Sequence, residues 1–366
     1  MKITGVKVQC YTYPMPALHR GQFGANQEAT LVCIETDAGI TGYGCARAQG
    51  GTIGRVIAEA VLSTARPRLI GQDPFQRERL WQSLWALDRG QYQPIFVTGA
   101  VDVALWDLAG KALDAPIWQL LGAYRCHLPA YASSAPLPAM EDYVAEATAC
   151  RARGFPAYKI HPPGIPDLDV AVCRAVREAV GPDMRLMLDP MGAYDHATAL
   201  RVGRELEHLG FYWYEEPLNA YDLRGYAELC RSLDIPVVAC ETVAGGPRST
   251  AQFIHQGAGD IFRADVYWRG GITGVLKTAH LCEAFGLACE IHHGATPLMD
   301  MANLHCACAI PNCEYFEVLV PEEGYRYGLK AYPEVNADGY VHAPTAPGLG
   351  VEIDHDYIDS HTTFSG

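Results

Sequence analysis

From about residue 128 onward the chain repeats one pattern eight times: a short apolar run, a polar residue at its end, then an amphipathic stretch. The runs lie at Pro129–Ser133, Ala157–His161, Arg185–Asp189, Trp213–Glu216, Val237–Glu241, Ile261–Asp265, Ala288–His292 and Tyr315–Val318. Runs this short, punctuated by Gly or Pro, have the length of strands. Between them, Leu168–Val180, Ala197–Leu209 and Ile272–Phe285 place apolar residues at helical spacing. Strands alternating with helices predict an α/β chain with a parallel sheet, because each crossover helix must cover a sheet face. If the sheet closes, it is a barrel; a doubly wound open sheet is the alternative. No Gly-x-Gly-x-x-Gly turn follows the first strand, so nothing points to a dinucleotide site.

The first 125 residues behave differently. Strand-like runs at Met1–Tyr13, Ala29–Glu35 and Gly39–Tyr43 precede helical periodicity at Thr52–Ala65, Gln76–Trp85 and Thr98–Leu113. Strands followed by helices predict an α+β unit. The chain has 28 basic and 42 acidic residues, a formal charge of −14, and no basic stripe. Such a surface repels nucleic acid and anionic lipid, so an anionic substrate needs a local cation to hold it. The N-terminus lacks the charged start and apolar run of a signal peptide, and no apolar stretch is long enough for a bilayer. Thirteen scattered cysteines read as reduced thiols of a cytoplasmic protein. The one cluster, Cys306, Cys308 and Cys313, lacks a usual zinc spacing and lies largely in an apolar helical stretch.

The chemistry is expected at the ends of the barrel runs. Their polar residues are Lys159 and His161, Asp189, Glu215, Glu241, Asp265, His292 and Glu317, spaced 24 to 30 residues apart from Lys159 onward. Equal units put equivalent strand ends in a ring at the C-terminal mouth, where barrel enzymes work. Three acids on consecutive strands, Asp189, Glu215 and Glu241, would repel one another unless a cation sat between them, and oxygen donors favour Mg2+. Alternation alone does not choose between Glu215 and Glu216. Singly, each acid reads more readily as a helix cap or a surface ion-pair partner. Lys159 and His161, two apart, point the same way. Crowded by a cation and desolvated, Lys159 is expected to have a lowered pKa and to act as a base. Asp265 is placed to hydrogen-bond the far nitrogen of His292. Alternation turns His293 to the opposite face, and puts Glu290 behind His292 as a supporting acid.

These residues resemble the enolase superfamily in its mandelate racemase-like branch. The resemblance runs through Ala100–Lys111, Leu120-Leu121-Gly122, Tyr158-Lys159-Ile160-His161, Leu188-Asp189, Tyr214-Glu215-Glu216-Pro217, Cys240-Glu241-Thr242, Ala264-Asp265, Gly270–Thr273, His292, Phe316-Glu317 and Pro347–Gly350. It implies an α+β capping domain over residues 1–125, a (β/α)7β TIM-like barrel over 126–322, and a C-terminal segment, 323–366, returning to the cap. It further implies Mg2+ on Asp189, Glu215 and Glu241, an Asp265–His292 dyad on one face, and a Lys159 base on the other. Glu317 would donate a hydrogen bond to the enediolate oxygen. Family habit adds a homo-oligomer. Three positions depart from the pattern: His161 replaces a second lysine, Met191 stands where a polar residue is common, and Cys45 follows Gly44 where an acid is common. The first leaves open whether Lys159 or His161 is the second-strand base.

The expected reaction removes the proton beside a substrate carboxylate. Dehydration of a sugar acid (an aldonate or aldarate) to a 2-keto-3-deoxy acid is the leading reading, with racemisation, epimerisation or lactone cycloisomerisation the alternative. The Pro14–Gln27 stretch offers His19, Arg20 and Gln22 for substrate hydroxyls or a distal carboxylate, or is a plain exposed connection. A Schiff base on Lys159 leaves the three carboxylates without a part. A non-catalytic barrel leaves every polar strand end idle.

Overall fold

Alternation in the N-terminal run produces a sheet buried on both faces. β1 (Ile3–Pro14), β2 (Asn26–Thr36) and β3 (Thr41–Arg47) pair antiparallel, and the last strand, β13 (Thr362–Ser365), adds to the outer edge of β1. Val6, Val8, Cys10, Val32 and Ile34 pack on the helices Arg77–Gln91 and Ile95–Ala112. Tyr11, Tyr13, Leu31 and Cys45, on the other face, join the barrel's own core. The computed structural model describes residues 1–15, 26–47, 54–91, 93–294 and 296–366.

Helix Ile95–Ala112 is buried nearly all round, which its run of Gly and Ala allows. A Cβ on Gly44 of β3 would lie 1.9 Å from the Ala100 carbonyl, and one on Gly99 would lie 2.4 Å from the Val266 carbonyl. The helix is thus gripped at backbone distance by the cap sheet on one side and the barrel on the other. Asp107 on the same helix accepts from Tyr43 N and Leu349 N, both at 2.9 Å, and pairs with Lys111 at 2.7 Å. That carboxylate ties the C-terminal return to the cap.

The eight runs form eight parallel strands: β4 (His127–Ser133), β5 (Ala157–Ile160), β6 (Arg185–Leu188), β7 (Trp213–Glu215), β8 (Val237–Ala239), β9 (Ile261–Ala264), β10 (Ala288–Ile291) and β11 (Phe316–Leu319). They follow in the order β10-β9-β8-β7-β6-β5-β4-β11, with β12 (Tyr340–His342) antiparallel on β4. Several strands stop one or two residues before the polar residue expected to end them. Among the described residues no helix is long and apolar enough to cross a membrane. Cys306 and Cys308 are buried in helix Pro297–Ala309 as core groups.

Among the described residues no ladder joins β10 to β11. Besides one backbone bond from Cys289 N to the Asn312 carbonyl (2.7 Å), side chains bridge this seam. Glu290 accepts from Glu314 N at 2.8 Å and Tyr315 N at 3.2 Å, and Glu317 accepts from His293 N at 3.2 Å. The bonds Glu290 makes thus run to the β11 side of the seam, where it substitutes for missing strand pairing. Burial pushes its carboxyl up to about 7. Glu290→Gln turns one acceptor into a donor facing a buried N–H, at a cost of about 1–3 kcal/mol. Chemical denaturation should show that loss while Mg2+ affinity stays unchanged; a variant as stable as the parent would mean the seam does not depend on this group.

Candidate active site

The ring of strand ends converges. Lys159, Glu215 and Glu317 lie within their strands, while His161, Asp189, Glu241, Asp265 and His292 follow theirs within two residues. The slanted parallel ladder runs on past the strand ends, with Asp189 N donating to Ile160 O and His292 N to Ala264 O, both at 2.9 Å. This holds the post-strand residues at the mouth. Three left-handed non-glycine residues, Met191, Glu216 and Cys240, cluster at the same three junctions, the strained backbone expected where a site overrides local preference.

One oxygen each from Asp189, Glu215 and Glu241 lies within 4.8 Å of the others. Glu215 is gripped from below: Arg263 Nε meets it at 2.5 Å, and Trp213 Nε1 and Lys159 Nζ each at 3.2 Å. Asp189 faces His161 Nε2 at 3.0 Å and Lys159 Nζ at 3.6 Å. Counted formally, and with Asp265 and His292 cancelling, Asp189, Glu215, Glu241 and Glu317 carry four negative charges, and Lys159 and Arg263 return two. A divalent cation balances the remainder, and an all-oxygen donor set suits Mg2+. Without one, the strain is visible on Glu241, pushed up to about 7 by burial and, despite the opposing charge of His292, by Asp189 and Glu215. Glu216 accepts from Glu241 N at 3.1 Å and is raised to about 8, by burial and then by Glu241. It lies beside the triad, and Glu215 supplies the oxygen within it.

The acid–base groups divide between two sides. Asp265 Oδ2 meets His292 Nδ1 at 3.2 Å, and its Oδ1 is fixed by Tyr267 N (2.7 Å) and Trp268 N (2.6 Å). His292 Nε2 then faces Glu241 at 3.4 Å. Burial lowers this imidazole, but Glu241, Glu317 and Asp265 outweigh it and raise it to about 9. Opposite, His161 Nδ1 lies 2.7 Å from the Ser134 carbonyl, which makes Nε2 the nitrogen turned to the site.

Three expectations, for Lys159, Glu317 and His293, meet a different arrangement here. For Lys159 the lowering expected beside a bound cation is absent in the cation-free protein: burial pulls it down, but the carboxylates of Glu215 and Glu317 hold it above its ordinary value. It is fully buried, and His161, not Lys159, lines the cavity. Glu317 is an acceptor: burial raises it, but Lys159 at 2.9 Å and Arg263 at 3.3 Å hold it well below the carboxylate range, so it has no proton to donate. His293 turns towards His292, ring centroids 4.0 Å apart, and lines the same cavity. The chain has left the strand at Ile291, so alternation no longer applies. His19, Arg20 and Gln22 lie outside the described residues.

The cavity, about 540 Å3, opens between Asp189, Glu241 and His292 of the barrel and Arg47 of the cap. Exposed Met191 and Tyr221 line it, so the position two after the first acid, Met191, brings no proton donor. Cys45 is packed against Tyr11 in the core, its thiol pushed up to about 11 by burial. Two functional groups escaped the sequence reading. Arg263 was visible as a charge inside an apolar run, two residues before Asp265; Arg47 had no such marker.

Comparison with known proteins agrees with this architecture. Residues 4–122 match the mandelate racemase/muconate lactonizing enzyme N-terminal domain, and residues 142–357 the enolase C-terminal domain-like model. The chain is 31% identical over 380 residues to a D-galactarolactone cycloisomerase of Agrobacterium fabrum, covering 98% of each. It is 31% identical to an arabinonate dehydratase of Saccharolobus solfataricus, covering 87% of each. Its fold is similar to the crystal structure of D-glucarate dehydratase from Agrobacterium tumefaciens complexed with magnesium, with TM-score 0.89, 36% identity and full coverage of both chains. The chain belongs to the mandelate racemase/muconate lactonizing enzyme family of the enolase superfamily.

Proposed function

We propose that this protein dehydrates a sugar acid to a 2-keto-3-deoxy acid. The observation that carries the reading is geometric: His292, paired with Asp265 at 3.2 Å, and an opposed His161 line one cavity across the acid triad. Mg2+ held by Asp189, Glu215 and Glu241 supplies stabilisation of the charge that builds on the substrate carboxylate. His161 takes the α-proton through Nε2 as the C–H bond breaks. Lys159 and Arg263, beneath the ring, hold Glu215 in place and keep Glu317 ionised. His292, held by Asp265 with its Nε2 turned to the cavity beside Glu241, gives its proton to the β-hydroxyl as the C–O bond breaks and water leaves. The resulting enol tautomerises to the keto acid.

A second reading, cycloisomerisation or racemisation, draws on proton carriers on both sides and on relatives named for these activities. Incubation with aldonates and aldarates in D2O with Mg2+, followed by proton NMR, separates the two. A 2-keto-3-deoxy product supports dehydration, while deuterated, inverted or lactone-derived acid supports the alternative. No exchange and no product across the panel would end both readings.

A further inference from the structure

Arg47 closes β3 and faces the barrel mouth from the cap. It is 8% exposed, and among the described residues it is the one arginine or lysine lining the cavity that also holds Asp189, Glu241 and His292. Both ends of the residue are pinned. Nη1 donates to the Tyr13 hydroxyl at 3.2 Å, and the Tyr267 hydroxyl donates to the Arg47 carbonyl. Tyr13 is itself stacked on Tyr327 with ring centroids 3.9 Å apart, so the guanidinium rests on a stiff aromatic wall.

What it lacks is an anion. Among the described residues no acid forms an ion pair with Arg47, and its Nε has no hydrogen-bond partner. Asp300 feels the guanidinium charge, yet turns its oxygen to Gly294 N at 2.5 Å. His293 links the two regions: it senses Arg47 and lies against His292. A buried, unpaired guanidinium is costly, and its fork of donors matches a carboxylate. In a chain of formal charge −14, that group is well placed to hold a second anionic end.

The geometry points to Arg47 as the residue that binds the distal carboxylate, making the substrate a dicarboxylic sugar acid (an aldarate). This rests on the function proposed above and names its substrate class. A monocarboxylic aldonate would place a hydroxyl against the guanidinium and leave its charge unmatched.

Two acids differing only at the far carbon provide the test: galactarate, a diacid, and galactonate, its monoacid counterpart. Binding is measured by calorimetry with Mg2+ on a His292→Asn background, so that ligand is not consumed. Galactarate is expected to bind at least about tenfold tighter, the scale of one charge-assisted contact. Arg47→Met should erase that preference and leave the galactonate affinity within about threefold; Arg47→Lys should keep part of it. Equal binding of the two acids, no binding of galactarate, or an Arg47→Met that weakens both equally would each overturn the assignment. Should Arg47→Met fail to fold, the comparison on the background protein decides. Turnover of monoacids alone by the parent enzyme would reject the role of Arg47 and keep the proposed function. Arg47-dependent galactarate binding without turnover of any acid sugar would do the reverse.

Discussion

Glu241→Gln is expected to weaken Mg2+ binding by at least about 100-fold in calorimetry, yet to raise the melting temperature of the cation-free protein. Both results follow from one arrangement. Glu241 contributes a ligand oxygen, so its loss removes a charged donor. In the absence of the ion, the same carboxylate is pressed against Asp189 and Glu215 and sits at about 7 instead of the ordinary 4.5. The sign of the pH dependence follows. A folded-state pKa above the unfolded one means the native protein holds more protons between pH 4.5 and 7. Cation-free stability therefore falls as pH rises through that window and levels off above it. His292, raised from 6.5 to about 9, continues the decline to higher pH. Mg2+ should reverse the Glu241 part of the loss and release close to one proton on binding near pH 6.5, seen as a buffer-dependent heat. A Glu241→Gln protein that binds Mg2+ like the parent would remove Glu241 from the ligand set, and with it the triad.

The second large effect concerns the dyad. His292→Asn should reduce dehydration by about 10²–10⁴-fold, the usual contribution of a positioned acid. Asp265→Asn should approach it, because an amide no longer fixes the imidazole tautomer; the corresponding change in a serine-protease triad costs about 10⁴-fold. Neither substitution should stop exchange of the α-proton with D2O, since His161 stands apart on the other side. His161→Asn should stop exchange and elimination together. The opposite pattern, exchange lost with His292 and kept without His161, would reverse the roles of the two histidines.

Much of this site was readable from spacing. One βα unit separates each strand end from the next, so residues far apart in sequence meet once the strands lie side by side, and the acid triad needed only that rule. Glu215 over Glu216 needed more, because two adjacent acids at a strand end both reach the mouth. His293 was misplaced because alternation describes a strand, and the strand ends at Ile291. The state of Lys159 depends on how many carboxylates ring it, which no local pattern contains. Glu290 owes its role to the missing pairing between β10 and β11, a property of closure. Arg47 belongs to a different sheet and obeys no barrel period, so its arrival at the mouth depends wholly on how the cap docks.

The placement of β13 beside β1 bears on how such a chain is made. Gln9 pairs with Ser365, so β1 leaves the ribosome long before its edge partner. At about 5–20 residues per second that wait is roughly 20–70 s. The barrel units can assemble as they emerge, but the sheet that roofs them stays one strand short until β13 has been made. Birth order and spatial order are opposed in this molecule: the lid begins before the barrel and is finished after it.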